Sequence, residues 1–169
     1  MGSYAIYQRR RYQKEREESR NNSPMRELYP AEAGTTKRSS GGKEDLMHKV
    51  CVNTANINFN DELEYFVIKN NCMKLRGISD GDIIGVKRFS SEEEVRKRAK
   101  SGKILLIRLN DDNFNGYKVR EQGDLTEAGD AYITYHYKDG KKTKSSRAHA
   151  ISSIVGVVVE VHNKVQTRY

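Results

Sequence analysis

Glu64-Tyr65-Phe66-Val67-Ile68-Lys69, then Gly77-Ile78-Ser79-Asp80-Gly81-Asp82, then Ile83-Ile84-Gly85-Val86-Lys87, is the stretch that decides the fold. The outer pieces are aromatic and β-branched runs of strand length, and the middle piece is turn chemistry. Downstream, Ser91 followed by Glu92, Glu93 and Glu94 is a helix start: a capping hydroxyl with acids against the dipole. Ser101-Gly102 ends that helix. Lys103 to Leu109 reads as a strand, Asn113 to Gly116 as a tight turn, and Gly116 to Glu121 as the returning partner. Ala131 to Lys138 alternates Tyr132, Thr134 and His136 with Ile133, Tyr135 and Tyr137, and Asp139-Gly140 closes a hairpin. The valine-rich run from Ile151 to Val161 is the last strand, expected to be buried. The predicted architecture is mostly β, a coiled, barrel-like sheet over 46–165 with one short helix and a C-terminal tail, 166–169.

Upstream the texture differs. Residues 1–45 are poor in aliphatics and rich in Arg, Glu, Ser and Asn, and Ser39-Ser40-Gly41-Gly42 is linker chemistry. Tyr4, Ile6, Tyr7 and Tyr12 are too few to give a helix from Tyr4 to Arg20 a core face. This stretch is read as a flexible basic arm and linker, without the helix pair of a helix-turn-helix reader. No apolar run of about 18 residues exists, so no membrane-spanning helix is expected. Two cysteines, Cys51 and Cys72, make no disulfide framework and have no metal-type spacing, which fits a reducing cytoplasmic setting. No cofactor, metal or small-molecule substrate is expected.

The chain has 169 residues, 32% of them charged, with a formal net charge of +8, so acidic partners such as nucleic acid are favoured. Arg9, Arg10, Arg11 and Lys14 are the candidate nucleic-acid contacts. Two further basic clusters, Arg96 to Lys103 and Lys138 to Arg147, are either solvated faces or additional contacts. Of the cysteines, Cys51 lies between Val50 and Val52 and reads as a buried small hydrophobe. Cys72 follows Asn70-Asn71 at the end of a β run, where a side chain can stand at a rim. The four histidines read as surface or structural residues.

These pieces together resemble the LexA/UmuD self-cleaving peptidases. The resemblance runs over residues 63–161: Tyr65-Phe66-Val67, Cys72-Met73-Lys74, the Gly77 to Ile84 turn and strand, Gly102-Lys103-Ile104-Leu105-Leu106, Tyr117-Lys118-Val119 and Ile154-Val155-Gly156-Val157-Val158. It implies Cys72 as nucleophile in place of the family's serine, and Lys118 as the catalytic lysine, with the segment 91–100 as an insertion. The family cuts an Ala-Gly or Cys-Gly bond some three dozen residues before the nucleophile. Here Ala33-Gly34 is the candidate, with Gly34 lying 38 residues before Cys72.

A lysine serves as base only when burial lowers its pKa from about 10.4 toward neutrality. A backbone N–H at Cys72 or its neighbour would hold the oxyanion. With cysteine, a free thiol titrates near about 8.5, so a touching pair prefers thiolate and ammonium. Cleavage then depends on Lys118 protonating the leaving nitrogen, and slow cleavage or none is expected. The resemblance further implies a homodimer through the C-terminal strands, with Val155 to Val159 as an apolar edge. It also implies a bacterial or phage stress-response setting in transcription regulation, in which release of the arm changes the partner bound and a nucleoprotein filament is an activating partner. The other reading is a non-cleaving dimerisation and interaction module whose basic arm binds nucleic acid or a protein.

Overall fold

The computed structural model describes residues 24–34 and 42–164. The described residues are mostly β. The elements are β1 (Met25–Glu32), β2 (Glu44–Asp45), β3 (Val50–Asn53), β4 (Glu64–Lys69), β5 (Ile83–Arg88), α1 (Glu92–Arg98), β6 (Ile104–Asn110), β7 (Phe114–Leu125), β8 (Ala131–Lys138), β9 (Lys141–Lys144), β10 (His149–Ala150) and β11 (Ile154–His162). The main path through the sheet is β10–β8–β7–β6–β11–β5–β4–β1–β3, and β1 also pairs with β7. That last pairing closes a ring of β1, β4, β5, β11, β6 and β7.

Phe66, Ile68, Ile84, Val86, Leu106 and Val119 form the central cluster of this ring, with Ala31 and Ala33 from the β1 side and Met73 and Ile78 from the turn. Tyr65, Val67 and Ile83 point the other way and bury against Leu28. Alternate residues of β4 are therefore enclosed on both faces, which is why its sequence is a continuous apolar run rather than an alternating one. α1 covers the outside of β6: Val95 and Ala99 pack with Leu105, Ile107 and Ile154.

Three expectations change. Met25–Glu32, inside the stretch read as a mobile arm, is a strand of the sheet. It runs parallel to β4 (Tyr29 opposite Phe66, Glu32 opposite Lys69) and parallel to β7 (Ala31 opposite Tyr117, Glu32 opposite Lys118). Pro30 cannot donate to a ladder. It falls between the residues paired with β3, Met25 to Leu28, and those paired with β7, Ala31 and Glu32.

Cys51 is exposed rather than buried. Its strand, β3, pairs only with β1 among the described residues and leaves Val50 41% exposed.

β11 is neither wholly buried nor an edge. It pairs with β5 on one side and, from Ile154 to Val157, with β6 on the other, so that half of the strand offers no open edge to a second copy. Its far half leaves Val159 and Val161 exposed. A Cβ on Gly156 would stand 2.3 Å from the Lys87 carbonyl oxygen, so glycine is needed where β5 passes.

Arg9, Arg10, Arg11 and Lys14 lie outside the described residues, as does the tail 166–169.

Candidate functional site

The site starts at the end of β4. Asn70 takes a left-handed backbone, φ 71°, which asparagine tolerates better than most residues. Its N–H donates to Asp80 Oδ1 at 2.8 Å, and the Asp80 N–H donates to Asn71 Oδ1 at 2.9 Å. Asp82 accepts from the Ser79 N–H at 2.8 Å and from the Lys164 N–H at 2.7 Å. These bonds fix the Gly77 to Asp82 turn against the loop carrying Cys72. Met73 and Ile78 anchor the same loop from below, both essentially without solvent exposure. Cys72 is thus left half-buried at a rim.

The stretch after β1 lies against that rim. Ala33 is fully enclosed, and its N–H donates to the Lys69 carbonyl at 3.0 Å, continuing the β4 ladder. Gly34 follows. A Cβ there would stand 2.8 Å from Cys72 Sγ and 2.5 Å from Asn70 Nδ2, so any larger residue would have to push the thiol and the amide aside. The Gly34 carbonyl accepts a 2.6 Å bond from Arg120 Nη2, and its N–H donates to Glu32 Oε1 at 3.1 Å. Gly34 is therefore seated at Cys72 and held through its own N–H and its own carbonyl.

Lys118 comes from β7, opposite Glu32 in the register. Tyr117 and Val119 face the central cluster, so Lys118 and Arg120 share the other face of the strand. Lys118 is 8% exposed, and its Nζ stands 4.4 Å from the centre of the Phe114 ring. Burial, and then the charge of Arg120, lower its pKa to about 8, with Glu32, Asp111 and Glu44 opposing. The direction is the one a lysine base requires.

The structure thus brings Cys72, Ala33 and Gly34 into one place. It sets Lys118 across from Glu32, two residues before Gly34.

Three further residues belong here that the sequence did not single out. Arg120 is buried, its Nη1 donating to the Val119 carbonyl at 2.8 Å, and burial brings its pKa down to about 10 against the pull of Glu32 and Cys72. Glu32 is 4% exposed, and burial raises its pKa against the lowering bond from Gly34. Asn70 accepts the Cys72 N–H through Oδ1 at 3.1 Å. The backbone donor expected for an oxyanion is therefore engaged by a side chain while the peptide is docked. The one signal for Arg120 is that it lies two residues after Lys118, on the same strand face; alternation alone would have placed both in solvent.

Among the described residues, no group of three or more His, Cys, Asp or Glu is arranged to hold a metal ion, and no helix is long and apolar enough to cross a membrane. No protein-family model matches the chain, and no curated protein matches it. The likeness to the LexA/UmuD peptidases accordingly stands on the quoted residues alone.

Proposed function

We propose that this chain is a LexA/UmuD-like regulatory domain that cuts its own N-terminal segment between Ala33 and Gly34. The observation that carries the reading is the seating of Gly34 against Cys72 Sγ, with its carbonyl in the grip of Arg120. Tethering makes the reaction intramolecular, and a docked extended strand removes most of the positional freedom of the bond.

In the proposed reaction Lys118 takes the proton of Cys72, and the sulfur adds to the Ala33 carbonyl carbon. The C–N bond to Gly34 then breaks as Lys118 returns that proton to the nitrogen, leaving a thioester on Ala33. Water attacks the thioester; one of its protons goes to the sulfur and the other leaves to solvent, so that Ala33 is left as a carboxylate. Arg120 and Glu32 act as positioning residues, one on each side of the Gly34 backbone. The setting we propose is cytoplasmic transcription regulation in a stress response, with the N-terminal arginines on nucleic acid and a second copy as partner.

A second reading has its own support. β1 completes the ring of strands whether or not the bond is cut, so the same docking suits a non-cleaving interaction module. Incubating the purified chain at mildly alkaline pH and following its mass separates the two. The first reading expects fragments ending at Ala33 and starting at Gly34, abolished by Cys72→Ala and by Lys118→Ala. Gly34→Ala, whose methyl displaces the thiol, lowers the rate on the order of 100-fold. A chain that stays intact, even as Cys72→Ser, supports the second reading.

A further inference from the structure

Beside the site lies a cavity of about 270 Å³ that shares only Lys118 and Arg120 with it. Its other walls are the β6–β7 hairpin, β8 and the segment between β9 and β10. Cys72, Asn70 and Gly34 do not line it. The cationic groups facing it are Lys118, Arg120 and Arg147, from two separate parts of the chain, joined by the rings of His136 and His149.

Asp111 is the one carboxylate in the lining, and its charge offsets one of these three cations. Its Oδ1 accepts from the Asn113 and Phe114 N–H groups at 2.8 Å each, closing the hairpin. Both histidines are held neutral by burial, His149 down to about 4, with the charges of Arg120 and Lys118 adding to the effect. A surplus of positive charge therefore converges on one concave space.

Arg120 adds an independent sign. Its Nε is buried and has no hydrogen-bond partner, although two other guanidinium nitrogens are bonded. Buried polar atoms are almost always satisfied, so this guanidinium keeps one donor unspent beside the cavity wall. The linker after Gly34 does not supply the charge: it carries Lys37, Arg38 and Lys43 and no acid before Glu44. The volume lies just under the ~300–1,000 Å³ of sites for drug-sized ligands, which suits a single compact anion.

We propose that this cavity is a phosphate-binding site, taking inorganic phosphate or the terminal phosphate of a nucleic acid between Lys118, Arg120 and Arg147. Arginine forks match phosphate oxygens in pairs, and the Ser146 side of the cavity is open to admit them. The proposal does not rest on Cys72 cutting, although Lys118 and Arg120 serve both sites.

The test is done on the full-length Cys72→Ala chain, which holds its covalent state constant. Inorganic phosphate is titrated at an ionic strength matched with chloride and followed by calorimetry and backbone amide shifts. Saturable binding with a dissociation constant of about 1 mM or below is expected, with shifts at Arg147 and His149. Arg147→Gln and Ser146→Asp, both changes at exposed positions, each weaken it by about tenfold or more. In parallel, a short oligonucleotide with a 5′-phosphate is compared with the same oligonucleotide lacking it. Preference for the phosphorylated strand over inorganic phosphate assigns the nucleic-acid source; the reverse assigns the free ion. Absence of saturation by either ligand, or binding indifferent to both substitutions, overturns the proposal.

Discussion

β1 and α1 are of similar length and hold their shapes in opposite ways. α1 is stable by local rules. Ser91 Oγ accepts the Glu94 N–H at 3.1 Å, Glu92 to Glu94 fill the first turn and Arg96 to Arg98 the last. Glu93–Lys97 and Glu94–Arg98 stand four residues apart with 3.6 Å contacts. Within the helix only Val95 is buried. β1 has no such local support. Its sequence, Met-Arg-Glu-Leu-Tyr-Pro-Ala-Glu, neither alternates nor favours a strand, yet its last three residues are all buried. It is a strand because β3, β4 and β7 make it one. Under the proposed function, a segment that presents a bond to a cleft gains from having no structure of its own.

Three substitutions sharpen that contrast. The largest effect is expected for Ala31→Asp, which puts a carboxylate where the side chain is fully enclosed among Phe66, Ile68 and Tyr117. A loss of about 3–5 kcal/mol in urea unfolding is expected, together with loss of cleavage. If stability barely changes, β1 is not held by the ring as described.

Lys118→Met comes next and acts on the strand opposite β1. The lysine is held near 8 in the folded chain against an ordinary 10.5, so the unfolded chain binds more protons between those values. Wild-type stability therefore rises with pH across that window, and below it the full cost of the buried charge is present. The methionine variant is expected to be more stable at neutral pH by about 1–3 kcal/mol, with the rise removed and cleavage abolished. Parallel curves for the two proteins would show that Lys118 is not held down by burial.

Ser91→Ala is the smallest, about 1 kcal/mol by thermal unfolding from the lost cap, with the cleavage rate unchanged. A changed rate would tie α1 to the site.

The same contrast explains what could be read in advance. Glu64 to Lys69 was legible as a strand to the residue, and α1 to within a turn, because propensity and caps are local. Gly77 to Asp82 was legible as a turn, and Cys72 as a rim position at the end of a β run. Cys51 was misplaced because Val50 and Val52 read as core, whereas β3 lies at the end of the sheet path. Arg120 escaped notice because a charged residue in a strand reads as solvent-facing, and Glu32 because its stretch reads as an arm. Their burial depends on β1 lying over β7, a pairing of segments more than eighty residues apart.

That pairing has a consequence for any severed chain. The residues up to Ala33 would stay knitted between β4 and β7, since none of their ladder bonds crosses the cut. Hydrolysis would yield a two-piece complex in which the newborn terminus at Ala33 stays lodged near Arg120. What comes loose is the new N-terminal end at Gly34, so the signal would reside in a slackened end rather than in a departing fragment.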